Sequence, residues 1–174
     1  MTIRMEEVND YRVTEQVIQE AFAGLAFSDQ KEHELVRKLR HSEAFIPELS
    51  LVFEEDGRIA GHILLSKIMI VNDQQSFEAL ALAPVSVLPS YQKQGIGAQL
   101  VRESLQRAKN LGYPAVIVMG HEHYYPKFGF QPASRWGITA PFEVPDELFM
   151  ALELEDNSLK GIHGVVQYAS AFYE

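Results

Sequence analysis

The residues between Val85 and Ala98 have the types and spacing to bind a phosphate group. An apolar strand ends in a short loop that contains Gly95 and Gly97, and the loop continues directly into a helix. The first N–H groups of a helix have no intrahelical acceptor and lie at the positive end of its dipole, so they attract anions. Glycine lets the backbone approach a ligand closely, and Lys93 adds a local positive charge. The pattern predicts a pyrophosphate site, although two glycines alone are equally consistent with a tight strand-to-helix connection.

Two common nucleotide-binding loops do not fit these residues. No segment has the Gly-x-x-x-x-Gly-Lys-Ser/Thr spacing of a Walker loop. A dinucleotide fingerprint requires Gly-x-Gly-x-x-Gly or Ala, and Leu100 stands at the position of the third small residue. The strand before the loop also follows an antiparallel meander, whereas such a fingerprint opens a βαβ unit. The phosphate ligand is therefore of another class.

Two motifs resemble the GNAT superfamily of acyl-CoA-dependent N-acetyltransferases. The first is Gln92-x-x-Gly95-x-Gly97 after Val87-x-Pro89, which is similar to the (Arg/Gln)-x-x-Gly-x-(Gly/Ala) signature of that superfamily. The second is the segment 125–130, Tyr-Pro-Lys-Phe-Gly-Phe, which resembles the Tyr-x-x-x-Gly-Phe segment that follows the fifth strand in the superfamily. Residues 120–125 and 132–134 are similar to a bacterial branch of predicted acetyltransferases. The resemblance extends from the first strand to about residue 168.

The resemblance implies a GNAT-like fold, acetyl-CoA as co-substrate and a primary amine of a small molecule or protein as acceptor. It implies a bulged strand that splays from the next one and opens a V-shaped cleft. Pro84 agrees, because proline in strands occurs at bulges, starts or edges. The pantetheine arm would pair with backbone groups of Val85, Ser86 and Val87. The pyrophosphate would bind backbone amides of Gln92, Lys93, Gln94, Gly95, Ile96, Gly97 and Ala98.

The family transfers its acyl group by direct attack of a neutral amine on the thioester, and the resemblance implies the same here. A backbone N–H near Val87 would polarise the thioester carbonyl, and Tyr125 would protonate the departing thiolate as general acid. Alternatively, Tyr125 only packs against Tyr124. We assign Tyr124 a packing role in either case. Some family members carry a carboxylate base near the position of Ala81, but residues 80–83 are apolar here. No base is assigned; the candidates are water, Glu78, His121, Glu122 and His123.

Several other side chains could bind a metal ion or the acceptor, but the sequence supports these roles less strongly. His121 and His123 could hold a metal ion, but no third ligand is visible in the sequence, so no metal site is predicted. His62 is interpreted as an ordinary strand residue. The acceptor pocket is expected near residues 24–29 and 134–142, with Trp136 as a candidate for its lining. Core or cleft-wall positions are expected for Phe128, Phe130, Trp136 and Phe142.

The elements that position these residues follow from hydrophobic periodicity. They predict an α/β domain of the α+β, three-layer type, in which helices flank a mixed, mostly antiparallel sheet. Helices are expected over Tyr11–Phe22 with Asn9 or Asp10 as cap, from an Asp29 cap to about Arg40, and from the glycine loop to Asn110. Asp56-Gly57 is a strong hairpin signal. Strands are expected at Thr2–Glu6, Leu51–Glu55, Arg58–Val71, Phe77–Leu88, Ala115–Met119, Leu148–Glu153 and Val165–Tyr168.

The composition restricts the remaining possibilities. The chain has 174 residues and no cysteine, which excludes a disulfide scaffold, a thiolate zinc site and a cysteine nucleophile. This length predicts one domain over residues 1–174. Lys and Arg number 15 against 24 Asp and Glu, and the resulting net charge of −9 disfavours a nucleic-acid partner. No secretory signal or membrane span is expected. The sequence therefore predicts a cytoplasmic location and no membrane partner. It leaves open whether the protein forms a homodimer.

Two alternatives to an acetyltransferase remain at this point. A non-catalytic acyl-CoA-binding module would keep the glycine loop but lack a competent acid and base. A purely structural interaction domain would not bind CoA at all.

Overall fold

The computed structural model describes all 174 residues, and their strands form one nine-stranded sheet. The main strand order is β1-β2-β3-β4-β5-β8-β6, while β9 pairs with the end of β3 and with β7. Only the β4–β5 and β7–β9 pairs are parallel. The predicted mixed, mostly antiparallel sheet is therefore confirmed. The strands are β1 Thr2–Met5, β2 Ser50–Glu55, β3 Arg58–Val71, β4 Ser76–Val87, β5 Ala115–Met119, β6 Gln131–Pro132, β7 Ile138–Thr139, β8 Phe149–Glu153 and β9 Gly164–Gln167.

Three helices cover the two faces of the sheet. They are α1 Tyr11–Phe22, α2 Glu32–Arg40 and α3 Ile96–Asn110. Leu100 of α3 packs in one core cluster with Leu80 and Val116. Ile18 of α1 and Val36 of α2 pack with Leu64 on the opposite face. The three-layer arrangement is thus confirmed, and none of these helices combines the length and the apolar character that a membrane crossing requires.

Both predicted helices form, but the Asp29 cap of α2 is wrong, because Lys31 is the N-cap residue there. Asp10 is the N-cap residue of α1 as predicted, yet its side chain makes no capping hydrogen bond. Asp10 stands just before α1, but its carboxylate accepts hydrogen bonds from Arg4 Nη1 at 2.7 Å and from the Glu7 N–H at 2.8 Å. Asp29 likewise accepts from the Lys31 N–H in the turn that precedes α2. In both cases a nearby donor outside the helix engages the carboxylate instead of the helix N–H groups.

The strand β4 contains the predicted bulge. Leu82 pairs with Leu65 and Val85 pairs with Ile63, so Ala83 and Pro84 together face the single residue Leu64. A bulge bends its strand and increases the local twist. This bend redirects the end of β4 just before the glycine loop.

Beyond the bulge, β4 separates from its parallel neighbour β5. The two strands pair only through Leu80 with Val116 and Ala81 with Ile117. The rest of β4 and the end of β5 are not hydrogen-bonded to each other, which leaves the expected V-shaped opening between them. We call this opening the β4–β5 gap.

Candidate active site

The glycine loop between β4 and α3 adopts a backbone conformation that suits glycine. Lys93 has a φ of 64° and Gly95 a φ of 82°, both in the left-handed region. A Cβ added at Gly95 would meet no heavy atom within 4 Å. Gly95 is therefore required for its conformation and not for space. The loop is tied to the end of β4 by a hydrogen bond from Gln92 Nε2 to the Val87 carbonyl oxygen at 3.1 Å.

Glycine is needed at position 97 for a different reason, because neighbouring side chains approach its backbone closely. A Cβ added there would lie 3.2 Å from the Tyr124 hydroxyl oxygen and 3.8 Å from Val87 Cγ2. Tyr124 follows β5, and its hydroxyl group lies beside the start of α3. Any side chain at position 97 would enter the space between these residues.

Free N–H groups of α3 face this space. The first hydrogen bond of the helix runs from the Gln99 N–H to the Gly95 carbonyl oxygen at 3.1 Å. The N–H groups of Ile96, Gly97 and Ala98 consequently have no acceptor within the helix. They border a cavity of about 410 Å³, which we call the loop cavity. Backbone donors at the positive end of a helix dipole are suited to an anionic phosphate.

Most of the predicted loop residues line the loop cavity, and three candidates do not. Those that line it are Val87, Gln92, Lys93, Gly95, Ile96, Gly97 and Ala98. Gln94 is exposed beside it, and Val85 packs against the core next to α3. The Ser86 side chain is buried and lies opposite His62 in the sheet register. Ser86 can therefore contribute to the gap only through its backbone.

Sequence reasoning missed three residues of the loop cavity, namely Tyr91, Tyr124 and Lys127. Lys127 places its Nζ 4.0 Å from the centre of the Tyr124 ring, a cation–π distance. It therefore supplies a second positive charge beside the one from Lys93. The sequence offers no local signal for this role, because Lys127 reaches the loop only after the turn 125–128 packs against α3.

Tyr125 lies in the core layer between the sheet and α3, with 8% of its surface exposed. Its ring contacts Tyr124 edge-on at 5.1 Å between centroids and Phe130 at 5.7 Å. A Cβ at Gly120 would lie 2.5 Å from Tyr125 Cε2, so Gly120 makes room for this ring. Burial, with a smaller contribution from Tyr124, raises the pKa of the Tyr125 hydroxyl to about 12. The hydroxyl is consequently protonated at neutral pH.

A second cavity opens on the other face of the sheet at the same gap. Ala81 and Ile117 line it and belong to the core on the side away from α3. Its volume is about 290 Å³, and all of its lining residues are apolar or aromatic. We call it the apolar pocket. Phe142, from one predicted acceptor segment, lines it, whereas Trp136 does not.

The candidate bases are spread around the site. Glu78 pairs with Met69 in the sheet, at the opposite end of β4 from the glycine loop. His121 lies two residues after the end of β5 and makes an edge contact with Phe27 at 6.0 Å between centroids. The His123 side chain is 93% exposed, 3.6 Å from Glu122. The structure contains no group of three or more His, Asp or Glu side chains that could hold a metal ion.

Two solved structures with this architecture are GNAT family acetyltransferases. A GNAT family N-acetyltransferase (YhbS) from Escherichia coli, in complex with CoA, superposes with a TM-score of 0.88 at 26% identity, over 99% of this chain and 92% of the other. A GNAT family acetyltransferase from Brucella melitensis, in complex with acetyl-CoA, gives a TM-score of 0.81 at 35% identity, over 98% and 97% of the two chains.

The sequence comparisons define the family. Residues 15–130 match the model of the acetyltransferase (GNAT) family. The chain is also 37% identical over 123 residues to the uncharacterized N-acetyltransferase YjhQ from Escherichia coli K12, over 70% of this chain and 68% of the relative. The chain therefore belongs to the GNAT family, and it is an acyltransferase. The predicted family, fold and enzyme class are confirmed.

Proposed function

We propose that this protein transfers an acetyl group from acetyl-CoA to a primary amine. The observation that carries this proposal is the β4–β5 gap, which has the loop cavity on one face of the sheet and the apolar pocket on the other. A donor and an acceptor can reach the gap from opposite sides. The complexes of related proteins with CoA and acetyl-CoA support the choice of donor.

The loop cavity is the proposed site of the CoA pyrophosphate. Its free N–H groups at positions 96–98 would donate hydrogen bonds to the phosphate oxygens, and Lys93 and Lys127 would add positive charge. The backbone of Val85, Ser86 and Val87 borders the gap and would pair with the pantetheine arm. The positive charge is local, which reconciles an anionic ligand with a net charge of −9.

Direct transfer needs three operations at the gap. The nitrogen of a neutral amine attacks the thioester carbonyl carbon, and a backbone N–H near Val87 would stabilise the negative charge that develops on the oxygen. The carbon–sulfur bond then breaks, and the thiolate would take a proton from the Tyr125 hydroxyl. The raised pKa of Tyr125 supports this role, because a general acid must hold its proton until the leaving group forms. The proton lost by the amine would leave through water, His121 or Glu122.

A non-catalytic acyl-CoA-binding module is not favoured. Family membership and the names of the relatives point to an enzyme. Residues 80–83 of β4 carry no carboxylate, but a water molecule in the open gap can accept the proton in its place.

Two linked measurements test the proposal. Acetyl-CoA at one hundred times its dissociation constant is expected to stabilise the protein by about 2.7 kcal/mol in thermal unfolding. Release of free CoA is then measured with a panel of primary amines. No stabilisation at millimolar acetyl-CoA would contradict the donor, and stabilisation without turnover on any amine would instead support the binding module.

Replacement of Tyr125 tests the proposed acid. Tyr125→Phe is expected to lower kcat by about 100-fold, the lower end of the range for general acid catalysis, and to leave the Kd of acetyl-CoA nearly unchanged. The ring and its packing remain, so only the proton donor is lost. Tyr113→Phe is the matched control, because Tyr113 packs against the same core but precedes β5, at the end of that strand away from the β4–β5 gap. Equal losses of kcat and of acetyl-CoA affinity in Tyr125→Phe would argue against the acid role.

A further inference from the structure

The apolar pocket has a wall built from aromatic side chains. The rings of Phe142 and Tyr168 are stacked, with centroids 6.3 Å apart and planes 17° from parallel. Tyr168 also contacts Phe172 at 5.0 Å and Tyr173 at 6.5 Å between centroids. These four residues come from the loop before β8 and from the segment after β9, so the fold assembles the wall from distant parts of the chain.

Several of these side chains remain open to solvent although they are apolar. Met119, Phe142 and Tyr173 are 52%, 43% and 61% exposed. Exposed apolar side chains that converge on one place commonly mark a binding site. Here they converge on the gap where the donor thioester is proposed to lie, which distinguishes them from isolated surface residues.

No charged side chain lines this pocket. A second positive charge on an acceptor would therefore lose its hydration without gaining an ionic partner, which is costly. The same surroundings lower the pKa of a bound ammonium group, because burial disfavours the charged form. The pocket would thereby help to produce the neutral amine that attack requires, at a site where β4 supplies no carboxylate base.

The size of the pocket restricts the acceptor further. A volume of about 290 Å³ lies near the lower end of the usual range for ligand sites. One aromatic ring on a short chain can be accommodated against the Phe142 and Tyr168 rings, at the stacking or edge distances that aromatic pairs prefer.

We propose that the acceptor is a small arylalkylamine, that is, a primary amine on a short chain attached to one aromatic ring. This inference rests on the proposed amine acetylation. The ring binds against the aromatic wall of the apolar pocket, and the amine lies where that pocket opens into the β4–β5 gap. The negative net charge attracts such a molecule as a cation from solution, and the pocket binds its apolar part.

The test compares acceptors that carry the same reactive group. With acetyl-CoA fixed, kcat/KM is measured for 2-phenylethylamine, for ethanolamine, which lacks the ring, and for the polycation spermidine. Burial of one ring predicts a value for 2-phenylethylamine roughly 30-fold or more above that for ethanolamine. Higher kcat/KM for spermidine or ethanolamine would overturn the inference while leaving the proposed function intact. Turnover of no amine at all, with acetyl-CoA still stabilising the protein, would overturn the proposed function itself.

A variant of the pocket makes the test specific. Phe142→Glu places a carboxylate in the wall at a position exposed enough to tolerate it. We expect kcat/KM for 2-phenylethylamine to fall by about tenfold while stabilisation by acetyl-CoA is retained. Val13→Glu is the control, because Val13 is similarly exposed at 44% but lies on α1 outside the pocket. Equal kcat/KM in Phe142→Glu and Val13→Glu would show that the acceptor does not bind against this wall.

Discussion

Gly95 and Gly97 are separated by one residue, yet the structure requires glycine at each for a different reason. Gly95 has a left-handed backbone with open space around it, so a larger residue there would meet conformational strain. Gly97 has no such φ, and an added Cβ would instead approach the Tyr124 hydroxyl. Substitution at position 97 therefore acts on the loop cavity more than on the backbone. The family pattern accepts alanine at this position, so the informative substitution is a larger one.

Gly97→Val is expected to weaken acetyl-CoA binding by about tenfold, because its methyl groups fill space beside the free N–H groups of α3. The free energy of unfolding of the free protein should change by less than about 1 kcal/mol. Calorimetric titration measures the Kd, and urea denaturation measures the stability.

The hairpin glycine provides the control for this variant. Gly57 has a φ of 75° and open space around it, so Gly57→Ala should lose about 1 kcal/mol of stability and keep its acetyl-CoA affinity. Unchanged affinity in Gly97→Val would mean that the loop cavity is not the phosphate site.

At the scale of elements, one buried side chain joins both N-terminal helices to the sheet. Arg40, the last residue of α2, donates to Glu6 after β1 and to Glu15 of α1, each at 2.7 Å. The side chains of Arg40 and Glu6 are 2% and 0% exposed. Glu6 also accepts a hydrogen bond from Ser50 of β2 at 2.8 Å. This ion-pair network positions α1 and α2 against the sheet, and Phe27 of the loop between them contacts His121 after β5.

Arg40→Met is expected to lower the free energy of unfolding by about 3–5 kcal/mol, because it leaves the Glu6 carboxylate buried without its cation. Arg37→Met is the matched control. Arg37 pairs with the same Glu15 at 2.5 Å, but its side chain is 57% exposed, so its loss should cost less than about 1 kcal/mol. Urea denaturation of both variants gives the comparison, and equal losses would show that burial does not set the strength of this network.

The elements that were predicted correctly carry their signal in their own residues. The bounds of α1 and β5 match the structure, as does the end of α3, because an apolar stripe or a β-branched run defines each of them locally. Asp10 stands at the predicted cap position of α1, but its side chain does not bond to the helix, because Arg4 on another element binds the carboxylate. The two-residue strands β6 and β7 are too short to show any periodicity, and their pairing with β8 and β9 depends on the rest of the fold.

At the scale of the whole molecule, the two halves of the site also differ in whether their residues are close together in the sequence. Residues that line the loop cavity are mostly contiguous in sequence, from Val87 to Ala98, and a motif could therefore identify them. The apolar pocket combines residues from Ala81 to Tyr173, which only the finished topology brings together. For this reason the donor class could be predicted from the sequence, whereas the acceptor pocket could not be read from it.

The structure brings Ser50, His62 and Glu6 together in a buried serine–histidine–carboxylate arrangement. The Ser50 hydroxyl donates to Glu6, so its oxygen must accept from His62, 3.1 Å away, and His62 carries its proton on Nε2. The Nδ1 atom of His62 is buried without a partner. All three side chains are buried and line neither cavity, so Ser50 is not placed to act as a nucleophile.

Burial lowers the pKa of His62 to about 4, against an opposing contribution from Glu6. In the unfolded chain this histidine has an ordinary pKa of 6.5, so below that pH the unfolded state binds a proton that the folded state excludes. The free energy of unfolding should therefore fall as the pH drops from about 6.5 to about 4, by up to about 3 kcal/mol from this residue alone. Asp10, whose pKa is lowered mainly by its hydrogen bond from Arg4, loses its contribution only at more acidic pH, below its ordinary value of 3.8.

His62→Gln isolates this contribution, because glutamine can still donate to Ser50 but does not titrate. Urea denaturation at a series of pH values between 7 and 4 should show a shallower loss of stability in this variant than in the wild-type protein. His123→Gln, at a side chain that is 93% exposed, should follow the wild-type curve. If His62→Gln and the wild-type protein lose stability in parallel over this range, His62 is not buried in its neutral form, and the acid sensitivity of the molecule must come from its carboxylates.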